Sequence, residues 1–264
     1  MPFAGWDPQG WFDTLALAPA TLAWAGGAVF LAALLRGFTG FGFALAAVPM
    51  LGMTMAPAQA VPVALGLQLL GGLVDLRKAS QECHWPSLRW LSLGAALGSP
   101  VGVLTLHAIS APAARVAIGL ITMGAVVVLG RGFALAAMPG RVVTAAAGLL
   151  AGLFNGVAAM PGPPAVAYYM SAPIQRAAAR ASLLVFFLAT SMLAIASAAA
   201  IGLFDRQSAR LAVAGLPVMV LGTWLGQMAF RRSTDALHRW ASVVSLGLIA
   251  LVSIGKGLAE LVLR

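Results

Sequence analysis

Two short stretches of the chain combine residues able to bind an anion with residues that break a helix. The first reads Arg36-Gly37-Phe38-Thr39-Gly40-Phe41-Gly42, and the second reads Asn155-Gly156-Val157-Ala158-Ala159-Met160-Pro161-Gly162-Pro163-Pro164. An arginine offers a planar, two-pronged donor that fits a carboxylate, a sulfonate or sulfite. A helix that restarts after a glycine or proline break presents free backbone N–H groups and the positive end of its dipole, which also favour an anion. The restarts fall after Gly42 and around Pro161 to Pro164, where proline suits a first helical turn. Thr39 can bond a substrate or cap the following half-helix. Asn155, at the position matching Arg36, is uncharged but still donates hydrogen bonds. Gln68 adds an amide in the middle of an apolar segment, where it must find a partner, either another helix or a substrate. The candidate binding set is therefore Arg36, Gly37, Thr39, Gly40, Gly42, Gln68, Asn155, Gly156, Pro161 and Gly162. A plainer role for the glycines is close helix packing, and for Arg36 it is reaching out to an interface.

These residues lie in a chain of 264 residues that is 61% hydrophobic and only 9% charged, with a mean hydropathy of +0.96. Apolar runs follow one another at about 21–36, 43–55, 58–76, 88–106, 113–130, 142–155, 161–172, 181–204, 210–230 and 239–262. Runs of that length and composition belong to an all-α polytopic membrane protein, and the alternation expected of a transmembrane barrel is missing. The net charge of +9 is read as loop arginines that set topology, so no nucleic-acid partner is expected. Cys83 is the single cysteine, which excludes an intramolecular disulfide and a CxxC metal site. No metal-ligand spacing, nucleotide-binding loop or catalytic constellation is present, and the chain is expected to be neither an enzyme nor a cofactor carrier. No Lys or Arg precedes Arg36, so the first apolar segment lacks the start of a cleaved signal peptide.

The two breaks sit 119 residues apart: Gly37 matches Gly156, and Gly40 matches Ala159. Downstream, Leu97-Gly98-Ser99-Pro100-Val101-Gly102 matches Leu221-Gly222-Thr223-Trp224-Leu225-Gly226, and Arg115 matches Arg239, at an offset of 124. The pattern is that of a duplication with one short insertion. Residues 1–20 form a lead-in, residues 21–131 a first transmembrane repeat and residues 141–262 a second.

Charge decides how the broken segments sit. If each crossed the membrane, the loops would divide Lys and Arg almost evenly. If each folds back as a re-entrant hairpin followed by three spans, and the N-terminus is outside, ten fall on the cytoplasmic side. These are Arg77, Lys78, Arg89, Arg131, Arg141, Arg176, Arg180, Arg231, Arg232 and Arg239, against Arg115, Arg206, Arg210 and Arg264 outside. Only the second arrangement obeys the positive-inside rule. Three crossings per repeat make the halves inverted, as in many secondary transporters, with the substrate site at paired broken helices near the midplane. The expected setting is a bacterial-type inner (cell) membrane. No acidic residue lies well inside a span, so a proton, if coupled, would travel on the substrate.

At these motifs the chain resembles the sulfite exporter TauE/SafE family, also described as sulfonate-uptake permeases. Gly37-Phe38-Thr39-Gly40-Phe41-Gly42 leads to Val48-Pro49-Met50-Leu51, and Gly152-Leu153-Phe154-Asn155-Gly156 leads to Pro161-Gly162-Pro163-Pro164. The resemblance covers roughly residues 25–260. It departs at 159–161, where Ala-Met-Pro replaces the family's usual glycines. The resemblance implies transport of a small organosulfur anion such as sulfite, sulfoacetate or another sulfonate. A passive anion channel of the same fold and a carboxylate transporter are the alternatives. The partners are then that anion and the lipid bilayer, and a homo-oligomer stays open.

Overall fold

The computed structural model describes residues 17–39, 42–73, 76–131, 137–230 and 235–262. Every element among them is an α-helix: α1 Pro19–Thr39, α2 Phe43–Leu51, α3 Pro57–Leu73, α4 Leu76–Glu82, α5 Trp85–Ala108, α6 Ala111–Arg131, α7 Arg141–Ala158, α8 Gly162–Ser171, α9 Arg176–Ala200, α10 Arg206–Phe230 and α11 Asp235–Val262. Most of the lead-in lies outside the described residues. Five helices among them are long and apolar enough to cross a bilayer: Pro19–Phe38, Trp85–Ala108, Arg141–Ala158, Ala177–Ala200 and Arg206–Ala229. The stretch 76–82, which follows the third apolar run, forms the short helix α4 and packs on α9.

Each break separates a long helix from a short one that turns back along it. Trp24 Nε1 in α1 donates to Met50 O near the end of α2, at 2.8 Å. Had α2 continued in the direction of α1, those residues would stand about 39 Å apart. In the second half, Thr144 Oγ1 near the start of α7 bonds Tyr168 OH near the end of α8, at 3.0 Å. The long arms are longer than a half-membrane insertion requires. α1 has 21 residues and α7 has 18, so each is about 27–32 Å long and of membrane length by itself.

The bases of these two hairpins are pinned at opposite ends of α5. The turn after α2 is held by α6 and α11: Arg115 Nε donates to Gly52 O at 3.0 Å, Lys256 Nζ donates to Met53 O, and Arg115 pairs with Glu260. Arg115 follows the C-terminal end of α5. At the other end, Tyr169 OH in α8 bonds Ser87 Oγ in the first turn of α5, at 3.1 Å. There His84 N–H donates to Ser182 Oγ of α9 at 2.8 Å, and the His84 ring accepts from Ser87 N–H and so caps α5.

Glycines set which helices touch. Along α5 and α7, Gly94, Gly98, Gly102, Gly148, Gly152 and Gly156 recur every four residues on one face, and the two backbones meet there. A Cβ on Gly98 would lie 2.1 Å from Leu149 O, and one on Gly152 would lie 2.6 Å from Ala95 O. α1 and α10 meet in the same way: a Cβ on Gly37 would lie 2.1 Å from Thr223 O, and one on Gly226 would lie 2.1 Å from Leu34 O. Where lipid is as apolar as leucine, such close approach is what holds helices together. α6 pairs with α11. The first helix of each half thus packs on a later helix of the other.

Candidate functional site

The two breaks open onto one small cavity. From the first half it is lined by Arg36, by Gly42, Phe43, Ala44 and Leu45 at the start of α2, and by Gln68 and Gly72 of α3. From the second half come Ala159, Met160, Pro161 and Gly162 at the α7–α8 break, with Leu184, Phe187 and Leu188 of α9.

Arg36 is half-buried in the last turn of α1, where a cation complements the negative end of the helix. Its guanidinium lies against α3 at a position without a side chain: a Cβ on Gly71 would stand 2.8 Å from Nη1. One turn earlier on α3, Gln68 Nε2 crosses to the second half and donates to Ala159 O at 2.8 Å. Ala159 carries a left-handed backbone, φ 55°, rare for a residue with a Cβ. It closes α7 by donating its N–H to Asn155 O at 2.7 Å, and Met160 N–H donates to Phe154 O at 3.3 Å. Ala159 therefore adopts a glycine-like turn, with a methyl buried inside it.

The starts of the two short helices are not equivalent. Gly42, at φ 88°, turns the chain into α2. The first α2 hydrogen bond is from Ala46 N–H to Gly42 O, so the N–H groups of Phe43, Ala44 and Leu45 precede the helical ladder. In α8, Gly162 is followed by Pro163 and Pro164, which have no N–H to offer. Positive charge and backbone donors come mainly from the first half of the chain.

Of the candidate set, Arg36, Gly42, Gln68, Pro161 and Gly162 line the cavity together. Gly37 and Gly156 lie instead in the α1–α10 and α5–α7 contacts. Asn155 is fully buried, donates Nδ2 to Thr190 O at 2.8 Å, and does not line the cavity. Gly40 lies outside the described residues, as does the side chain of Thr39. Tyr168 and Tyr169 are buried and pin α8 to α7 and α5. Ala159, Phe187 and Leu188 bear no mark of their own in the sequence. Only the repeat offset points to Phe187, which stands 119 residues after Gln68.

The model of the sulfite exporter TauE/SafE family matches residues 25–253, nearly all of the described helices. The chain belongs to the sulfite exporter TauE/SafE family. A Cupriavidus necator protein described as a probable sulfite/organosulfonate exporter TauE is 26% identical over 198 residues, which cover 72% of this chain and 76% of that protein. No solved structure matches this TauE/SafE family member. Membership and the apolar helices together make it a multi-pass membrane transport protein.

Proposed function

We propose that this TauE/SafE protein is a secondary transporter that exports a small organosulfur or related anion, such as sulfite, sulfoacetate or another sulfonate. The anion binds in the cavity between the two breaks, held by Arg36, the first N–H groups of α2 and the second N–H of the Gln68 amide. Access alternates as the two halves rock about that site. The observation that carries the reading is the cavity itself, in which a cation and a helix start from one half face the break of the other.

Inverted repeats are supported by the reciprocal contacts. α1 packs on α10 as α7 packs on α5, and each short helix is bonded back to the start of its long one. The hairpin bases lie at opposite ends of α5, as expected if the repeats enter from opposite faces. Arg77, Arg89, Arg141 and Arg180 then sit at the cytoplasmic end, with Arg115, Arg206 and Arg210 at the outer end and the N-terminus outside. Glycine contacts between the backbones of the exchanging pairs give packed interfaces that can slide without separating.

Reconstituted protein in vesicles preloaded with unlabelled sulfite or methanesulfonate tests this. A transporter that alternates access accumulates labelled anion by exchange, faster when the opposite side is loaded. Flux that follows the electrochemical gradient alone, with no acceleration from the other side, identifies a channel and rejects the proposal.

A further inference from the structure

The cavity has two chemically different sides, and the duplication accounts for the difference. Gln68 and Phe187 stand 119 residues apart, on α3 and α9, and both line the cavity. Arg36 beside Gly71 in the first half corresponds, at the same offset, to Asn155 bonded to Thr190 in the second. The first half thus supplies the cation and the amide, and the second half supplies an aromatic ring where the amide would be. Leu184, Leu188 and Met160 line the cavity with it.

This apolar wall begins beside the guanidinium. A Cβ on Gly71 would meet Arg36 Nη1 at 2.8 Å, and a Cβ on the next residue, Gly72, would meet Leu188 Cδ1 at 3.2 Å. The far edge of the wall reaches the start of α8, where a Cβ on Gly162 would come within 3.9 Å of Phe187 Cζ. A ligand whose anionic group is held at Arg36 has its remainder directed along Leu188 and Phe187.

We propose that Leu184, Phe187, Leu188 and Met160 form a tail subsite, and that the site takes an anion bearing a compact apolar group, such as a short alkanesulfonate, in preference to sulfite. The proposal rests on the reading of this cavity as the anion site. Phe187 is its specificity-determining residue. Burying one methylene against such a wall strengthens binding about fourfold, so affinity rises along the alkanesulfonate series until the wall is covered.

Calorimetric titration of the purified full-length protein with sulfite and with methane-, ethane-, propane- and butanesulfonate tests it. The expected result is weakest binding for sulfite and a rise of about fourfold per methylene. Phe187→Ala flattens that rise and Phe187→Leu keeps most of it, each variant first checked for a cooperative melt. Sulfite binding as tightly as butanesulfonate, or a slope unchanged in Phe187→Ala, overturns the tail subsite and leaves the anion site standing. Undiminished binding of the whole series by Arg36→Ala is partition into the micelle and also overturns it. If none of the anions binds, sulfite included, the reading of the cavity fails with it.

Discussion

The side-chain amide of Gln68 donates to the backbone carbonyl of Ala159 at 2.8 Å, which ties a helix of the first half to the break in the second. The carbonyl belongs to a fully buried residue at the end of α7. Without this partner it would be an unpaired acceptor in a water-poor site, at a cost of about 1–3 kcal/mol. Gln68→Leu, which fills similar space but cannot donate, is expected to lower stability by that amount in chemical or thermal unfolding in detergent. Gln68→Glu should do the same at neutral pH, since a carboxylate only accepts. Wild-type stability in both variants would show that the bond contributes nothing.

The cavity glycine and the packing glycines should answer substitution in opposite ways. A Cβ on Gly71 meets only the mobile ends of Arg36 and Met219, at 2.8 and 2.5 Å. The helix also gains about 0.5–1 kcal/mol from Gly→Ala. Gly71→Ala should therefore melt within about 1 kcal/mol of wild type, yet bind anions more weakly because the guanidinium is displaced. At Gly98 the obstacle is the carbonyl oxygen of Leu149, 2.1 Å from the new Cβ, and α5 must move off α7. Gly98→Ala should cost about 1–3 kcal/mol or more, read from the same melting curves. Equal effects of the two substitutions on stability would contradict the assignment.

Much of this arrangement was legible in the sequence, because membrane spans and breaks are marked by composition. The apolar runs coincide with the helices, and the glycine and proline breaks fall where the helices stop. Arg36, Gly42, Gln68, Pro161 and Gly162, picked out by type and spacing, meet in one cavity. Less legible was which glycines break and which pack. Gly37 and Gly156 lie in the same stretches as the breaks, but they serve helix contacts to partners about 190 and 54 residues away in the chain. Partner choice between distant helices leaves no local signal. The length of α1 and α7 was also underestimated, since Arg36 and Asn155 are accommodated inside the helices and do not end them. His84 gives a smaller example. A histidine in a polar turn is rarely informative, and its capping of α5 depends on a ring orientation that spacing does not encode.

A pH dependence is expected from the start of α10. Asp205 Oδ1 accepts from both Ser208 N–H and Ser208 Oγ, each at 2.8 Å. These bonds, the backbone one first, hold its carboxyl below the ordinary value of 3.8. Because the folded state favours the ionised form, the stabilisation is complete above the unfolded value. It is lost as the pH falls through the lowered, folded one. Asp205→Ala should cost about 1 kcal/mol at pH 7, as for other helix caps. The gap between variant and wild type should close as the pH is taken below about 4. A gap that stays constant from pH 7 to pH 3 would place the effect elsewhere.

The account turns on Arg36 as the cation that holds the transported anion. The most direct measurement is the affinity of purified Arg36→Ala and Arg36→Lys for methanesulfonate, set beside wild type under the same conditions. Loss of a charged, two-pronged partner in a desolvated site costs about 2–5 kcal/mol. Arg36→Ala is therefore expected to bind at least about thirtyfold more weakly while still melting cooperatively. Arg36→Lys should fall between the two, since it keeps the charge without the fork. Undiminished binding by a folded Arg36→Ala protein would contradict the central claim.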